Sequence, residues 1–418
     1  MAPDTDALRA RARAIFDRAV AAADPALALR KELAARPLPV PSDGGRCFVI
    51  ATGKAAPAML TEALRHVAGP HVALAVTHHE NPAEVPGATV LRAGHPVPDP
   101  AGLAAGQRVM DLLRQAREGD RVIALVSGGG SALLPAPLAG ITLDDKAKMN
   151  RLLLGAGLEI TQMNLLRQQV SQLKGGGMLR LAAPAPVTAY ILSDVIGDDL
   201  RTVASGPTVA PIGPRDEARA VAMQAGLWAR LPGSIRARLE ESAAPAPQPP
   251  APENILIGSN RQSLEAAREA AAQEGEALIV SDALVGDVGD AAEVILRAAK
   301  GQGPCALLFG GETTVRLTGA GQGGRNQELA LRMALRAGEL GGHWLFLSGG
   351  TDGRDGPTPA AGGFADAGTC ARIRAGGLDP AALLADNDSH RALCVAGDLL
   401  QTGATGTNVA DIQILLRG

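Results

Sequence analysis

The 418-residue sequence is poor in aromatic side chains, with two Trp, one Tyr and five Phe. That scarcity excludes the stacked aromatic platforms on which single-stranded nucleic acid is held. An excess of one charge is also missing. Forty basic residues against 43 acidic ones give a formal net charge of -3, which provides no electrostatic footprint for DNA or RNA. Cysteine is sparse: Cys47, Cys305, Cys370 and Cys394 include no CxxC pair and have no histidine at metal-ligand spacing. Free thiols in a cytoplasmic protein are expected rather than disulfides or a zinc site. No apolar run approaches the roughly 18 residues that would span a bilayer. Residues 2–20 read as an amphipathic helix of mixed charge and not as a signal peptide. The expectation is a cytoplasmic protein with neither nucleic-acid nor membrane partners.

Familiar catalytic signatures are lacking too. Gly53-Lys54 does not form a Walker A loop, because Phe48 stands where its first glycine is needed and Ala55 replaces the Ser/Thr. Neither GxSxG nor HExxH occurs. The stretch from Gly319 through Gly321 to Gly324 formally satisfies GxGxxG, but a chain with 51 glycines makes such a match cheap. Glu339 falls at a helix end and Asp352 comes too late to be the acidic residue of a dinucleotide site. Arg325, directly after the last glycine, suits a phosphate terminus better than a packing contact with a cofactor.

What the chain does have is a regular alternation of short aliphatic runs with longer amphipathic segments. The runs are 47–51, 72–76, 121–126, 187–192, 255–258, 277–280, 305–310, 343–347 and 411–416. Helical patterns cover 55–68, 101–117, 144–156, 261–274, 290–300 and 325–337, and 158–181 reads as helix that breaks at Lys174-Gly-Gly-Gly177. Runs that are apolar throughout predict strands covered on both faces, and their alternation with helices predicts largely parallel sheets in a three-layer α/β architecture. The stretch AAPAPQPPAP, 243–252, forbids helix and central strand and reads as a linker. It divides the chain into an N-terminal domain, 1–242, and a C-terminal domain, 253–418.

Polar residues fall where those strands end. Lys54 follows the first run, Ser127-Gly128-Gly129-Gly130-Ser131 the third, Asp194 and Asp198 the fourth, and Asn260 the fifth. Glu312 follows the run at 305–310, and Asp352 and Asp355 the run at 343–347. The carboxyl ends of strands in open α/β sheets are where ligands bind, so this repertoire predicts a polar site. Three glycines in a row remove every Cβ and let backbone N–H groups reach an oxyanion, with the Ser127 and Ser131 hydroxyls completing the cradle. A tight strand-to-helix turn without a ligand explains the same residues. Lys54 and Arg325 stand at predicted helix starts, where a bound anion would offset the unfavourable helix dipole. An ion pair between Arg325 and Glu328 is the structural alternative. His95, in GHPVPDP, reads equally as a substrate contact or a turn residue.

Taken together, TGKAAP, GHPVPD, VSGGGSALLPAP, LKGGG, LSDVIGDD, ASGPTV, GSNRQSL, GGETTV, GRNQELAL and GTDGRDGPTPAAGG resemble the bacterial and archaeal glycerate 2-kinase family, whose C-terminal domain is called MOFRL. The resemblance implies an N-terminal Rossmann-like three-layer α/β/α sandwich, a C-terminal MOFRL-type α/β domain and an active-site cleft between them. It implies ATP and Mg²⁺ as co-substrates and transfer of the γ-phosphoryl to D-glycerate, giving 2-phosphoglycerate. Members often carry the label hydroxypyruvate reductase, so an NAD(P)H-dependent reductase is the alternative. Lys54, Asp194, Asn260, Glu312, Arg325 and Asp352 resemble the family's active-site set. On this reading Lys54, Arg325 and Asp194 act in catalysis, and Asp194, Glu312 and Asp352 supply metal ligands. Ser127, Gly128, Gly129, Gly130, Ser131, Lys174, Asn260 and His95 contact glycerate or nucleotide. The sequence leaves the oligomeric state open, a homodimer being one assembly to test.

Overall fold

The computed structural model describes residues 5–242 and 249–418. Residues 243–248 of the expected linker lie outside the described residues. Contacts divide the chain into two compact units. One contains Pro25–Ser193 and Asp198–Ile257; the other contains the residues through Asp24, Asp194–Gly197 and Gly258–Gly418.

The first unit is built on a six-stranded sheet of β1 (Cys47–Thr52), β2 (His71–His78), β3 (Thr89–Ala93), β4 (Arg121–Val126), β5 (Val187–Leu192) and β6 (Glu253–Gly258), in the order β3-β2-β1-β4-β5-β6. The ladders joining β1 to β2 and β4, β2 to β3, and β4 to β5 are all parallel. Every residue of β1 and β5 is buried, as their unbroken apolar character predicts. The chain runs outward through β1, β2 and β3, then returns to the other side of β1 with β4. That reversal sets the turns after β1 and β4 side by side at the position where open α/β sheets bind ligands.

The second unit has a sheet of β7 (Ala277–Asp287), β8 (Cys305–Thr314), β9 (Trp344–Gly350), β10 (Gly362–Asp366), β11 (Leu399–Leu400) and β12 (Asp411–Arg417), in the order β11-β10-β9-β12-β8-β7. The expectation of a largely parallel sheet fails here. Only β7 and β8 run parallel, and the other four ladders are antiparallel. Helices cover both faces, so the central strands are mostly apolar on both sides whichever way they run. Alternate residues serve opposite layers: Phe309, Phe346 and Leu415 pack with Ile295 and Leu329, whereas Leu308, Leu345, Leu347 and Ile414 pack with Phe16 and Leu264. Truncating one of these phenylalanines to Ala would cost about 3–5 kcal/mol.

The expected domain boundaries also shift. The helix Thr5–Ala22 buries Leu8, Ala12, Ile15, Phe16 and Ala19 in the core of the second unit. Its apolar stripe joins a sheet face that needs covering, and chain order does not decide which one. Residues 253–257, assigned from sequence to the second domain, belong to the first unit because β6 adds to its sheet. The predicted helix over 158–181 is interrupted earlier than expected, ending at Gln169 and resuming as the short helix Gly177–Ala182. All four cysteines are free, two of them buried, with Cys370 partly and Cys394 largely exposed.

Candidate active site

In the first unit, Thr52 of β1 pairs with Val126 of β4, so Gly53-Lys54 and Ser127–Ser131 leave the sheet as neighbours. Their backbones are tied together: the Lys54 N–H donates to Gly128 O at 2.9 Å, and the Ala55 N–H to Ser127 Oγ at 3.2 Å. Gly53 is required, because its φ is +119° and a Cβ would overlap the Ser127 hydroxyl. That hydroxyl donates to Thr52 O and is buried. Expected to close an anion cradle, it instead braces the turn.

The cradle itself is open. The amides of Gly128, Gly129, Gly130 and Ser131 donate to no group among the described residues. Gly129 has φ +83°, and a Cβ there would stand 3.1 Å from the His95 ring and 3.3 Å from Lys54 Cγ. Lys54 and His95 therefore flank the loop. Burial lowers the His95 pKa to about 4, with the charge on Lys54 and the neighbouring His78 adding to the effect. The imidazole is neutral at physiological pH, offering one donor and one acceptor. The helix after the loop, Gly130–Leu133, is a single turn, so its dipole adds less than the sequence led us to expect.

Lys174 also meets the loop. Its buried Nζ donates to Ser131 O and to Ser131 Oγ, each at 2.7 Å, and the Ser131 hydroxyl also contacts Ser205 Oγ at 2.9 Å. Ser205 donates in turn to Asn164 Oδ1. Ala204 and Ser205 both hold positive φ, 50° and 62°, a strained pair fixed by this network. The glycines after Lys174 do not form a second anion cradle. The Gly175 and Gly176 amides donate to Ser205 O and Gly206 O, and that of Gly177 to Lys174 O.

In the second unit the centre is Arg325, the first residue of the helix Arg325–Leu335. Its Nε and Nη2 grip Asp411 at 2.6 and 3.0 Å, and Nη1 lies 3.2 Å from Glu312 Oε1. Burial opposes the guanidinium charge, but Asp411, Glu312 and Asp355 together outweigh it and raise the Arg325 pKa. The alternative pairing with Glu328 does not form; that carboxylate engages Arg332 and the Asn387 amide. Burial raises the Glu312 pKa, and the negative charges of Asp411, Asp194 and Asp352 add to the rise. Asp194 thus joins this cluster although it follows β5 in the chain. Asn260 is tied to the strand head, donating from Nδ2 to Val409 O at 2.8 Å and Asp411 O at 2.9 Å. Its Oδ1 is buried and unpaired among the described residues.

The formal dinucleotide motif has a different use. The Gly319 amide donates to Asn387 Oδ1, that of Ala320 to Asp386 Oδ1, that of Gly321 to Asp386 O and that of Gln322 to Asp388 Oδ1. A Cβ at Gly324 would overlap the Asp355 carboxylate, which accepts the first N–H groups of the Arg325 helix from Asn326 and Gln327. These glycines permit close packing that aims Arg325, and the amides from Gly319 to Gln322 are occupied by the protein itself.

Sequence reasoning missed Asp411, the principal partner of Arg325. The signal was a lone carboxylate heading a mostly apolar, buried strand. It also missed Lys146 and Arg167, which lie beside Lys174 in the first unit. Among the described residues no three His, Cys, Asp or Glu side chains gather as a metal-binding group, and no helix is long and apolar enough to cross a membrane. Glu312, whose pKa burial raises and Asp411, Asp194 and Asp352 raise further, is nevertheless surrounded by carboxylate oxygens of the hard kind that suits a divalent cation held by one or two of them and water.

Comparison with known proteins agrees with this two-part arrangement. Residues 11–240 match the family described as a domain of unknown function, DUF4147, and residues 305–411 match the MOFRL family. A glycerate 2-kinase of Pyrococcus horikoshii is 37% identical over 388 residues, covering 89% of this chain and 87% of its own. A human glycerate kinase is 39% identical over 376 residues, covering 76% of this chain and 71% of its own. A protein of Agrobacterium vitis provisionally named hydroxypyruvate reductase is 39% identical over 421 residues, covering 97% and 94%. The crystal structure of a glycerate kinase from Thermotoga maritima superimposes with a TM-score of 0.89 at 35% identity, covering 99% of this chain and all of that one. With relatives this similar along nearly its whole length, and with both domain families in order, the chain belongs to the glycerate kinase family of DUF4147–MOFRL proteins.

Proposed function

We propose that the protein transfers the γ-phosphoryl group of ATP to the 2-hydroxyl of D-glycerate, with Mg²⁺, giving 2-phosphoglycerate and ADP. The observation that carries this reading is the open row of amides from Gly128 to Ser131 beside Lys54, a backbone cradle with a cation at its edge. Phosphoryl transfer asks a protein mainly for positioning and for neutralisation of charge. The four amides hold phosphate oxygens, and Lys54 supplies a point charge to the transferring group. Arg325, its planar fork fixed by Asp411, supplies the second cation. Asp194, Glu312 and Asp352 are the carboxylates that would hold Mg²⁺, one or two of them directly, and the ion would neutralise charge on the phosphates. Asp194 accepts the proton of the glycerate 2-hydroxyl as that oxygen bonds to phosphorus and the bond to the ADP oxygen breaks.

The glycine motif from Gly319 to Gln322 offers the reductase reading no pyrophosphate site, because its amides are engaged by Asp386, Asn387 and Asp388. Parallel assays test the choice. ADP release with glycerate, ATP and Mg²⁺, and no NAD(P)H oxidation with hydroxypyruvate, is expected. The opposite pattern would defeat the kinase reading.

A further inference from the structure

A cavity of about 180 Å³ opens next to the cradle, lined by His95, Gly129, Ser131, Asn150 and three cationic side chains, Lys146, Arg167 and Lys174. Among its described lining residues there is no carboxylate. Lys146 and Lys174 are buried, 8% and 4% exposed. Lys146 Nζ donates to Pro135 O at 2.6 Å and to Val170 O at 3.4 Å, so one of its three N–H bonds has no acceptor among the described residues. The same holds for Lys174, whose two acceptors both belong to Ser131. Arg167 donates Nε to Asn150 Oδ1 at 2.7 Å and Nη1 to Asn164 Oδ1 at 3.4 Å, leaving Nη2 unengaged among the described residues. Three cations gathered without an acid repel one another and lose hydration. Burial, with the charge on Arg167 adding to it, depresses the pKa of Lys146 to about 7, and burial together with Lys146 and Arg167 holds that of Lys174 well below its ordinary range. Such a group is stable in its charged form only with an anion among it.

We propose that this cavity is the docking pocket for the carboxylate of the acceptor, a small hydroxy acid, held by Lys146, Arg167 and Lys174. The volume lies below the roughly 300 Å³ at which pockets for larger ligands begin, which suits a three-carbon acid and not a nucleoside. Gly129 and His95 border both cavity and cradle. An acid anchored at the cationic end therefore directs its hydroxyl toward the loop where the phosphoryl group is held. The proposal deepens the kinase reading and rests on it for the identity of the acid, but not for the anion site itself.

Steady-state kinetics and calorimetry on the full chain test it with Lys146→Met and Arg167→Gln. Each variant loses one charge-assisted hydrogen bond, so KM for glycerate should rise about 10- to 100-fold while KM for ATP stays within about twofold. Glyceramide, the neutral analogue, should not bind the unaltered protein measurably. Arg167 is the less buried of the two and keeps the test available if Lys146→Met does not fold. An unchanged glycerate KM in folded Arg167→Gln overturns the proposal, as does a rise confined to ATP, which would assign the cations to nucleotide phosphate. If the unaltered protein does not turn over glycerate, the kinase reading fails on its own. Calorimetric titration with D-glycerate and with inorganic phosphate then decides the pocket separately. Binding of either that is lost in Arg167→Gln upholds a small-anion site; binding of neither removes it.

Discussion

Arg325 donates two hydrogen bonds to the carboxylate of Asp411, a residue with no solvent exposure at the head of β12. The pair fixes a guanidinium at the end of a sheet, with Nη1 left to reach Glu312 at 3.2 Å. Replacing Asp411 by Asn removes the charge and one acceptor. Breaking such a pair costs about 3–5 kcal/mol when both partners are buried; Arg325 is partly exposed, so a loss nearer about 2–3 kcal/mol is expected. Urea denaturation of Asp411→Asn measures it, and kcat should fall at least about 100-fold as the fork loses its aim. Near-normal kcat in a destabilised variant would make the pair purely structural.

Lys54 is only partly buried, so Lys54→Ala should fold normally. If the cation acts on the transferring group, kcat drops roughly 10²–10³-fold. Thermal melting together with ADP release checks both halves, and a kcat close to that of the unaltered protein would refute the assigned role.

Gly129 and Gly140 provide a matched comparison, with φ of +83° and +80°. Alanine at either position meets the same backbone penalty, about 1–2 kcal/mol. A Cβ at Gly140 has open space around it, whereas one at Gly129 presses on His95 and Lys54. Equal or greater loss of stability for Gly129→Ala is expected, and loss of activity only for Gly129→Ala. Equal activities in both variants would separate the loop from the chemistry.

The site was legible in part, and the reasons are physical. Buried strands announce themselves as apolar runs, so β1, β4, β5, β8, β9 and β12 were found, and with them the turns that carry Lys54, Ser127–Ser131 and Glu312. Such runs carry no direction, which is why the antiparallel ladders of β12 with β8 and β9 were not. The strand β10, Gly-Gly-Phe-Ala-Asp, is hidden by its glycines, of which Gly362 allows close approach to Ser348 and Gly349, and Gly363 to Leu393. Lys146 and Arg167 sit in helical patterns where a basic residue ordinarily faces water, and only the three-dimensional packing turns them inward. The seven glycines Gly319, Gly321, Gly323, Gly324, Gly350, Gly353 and Gly356, which pack against backbone or short side chains, looked from the sequence like a cofactor motif only where their spacing coincided with one.

The buried cations predict a pH dependence of stability. Lys146 faces Arg167 and Lys174 and two carbonyl oxygens, with no acid contributing to its shift. Its pKa falls from 10.5 to about 7 on folding, chiefly through burial. Between those values the unfolded chain binds more protons than the folded one, so stability rises with pH. The contribution is complete above about 10.5 and is lost as pH falls to about 7. Denaturation curves at pH 7, 8 and 9 should show a slope shallower in Lys146→Met by up to about 1.4 kcal/mol per pH unit. Identical slopes would mean that Lys146 keeps its proton in the folded protein.

The most direct test of the account is the identity of the product. ³¹P and ¹³C spectra of the mixture formed from D-glycerate, ATP and Mg²⁺ should show phosphorus coupled to carbon 2, in amounts equal to the ADP released. Phosphorus on carbon 3, or ADP formed without any phosphoglycerate, would contradict it.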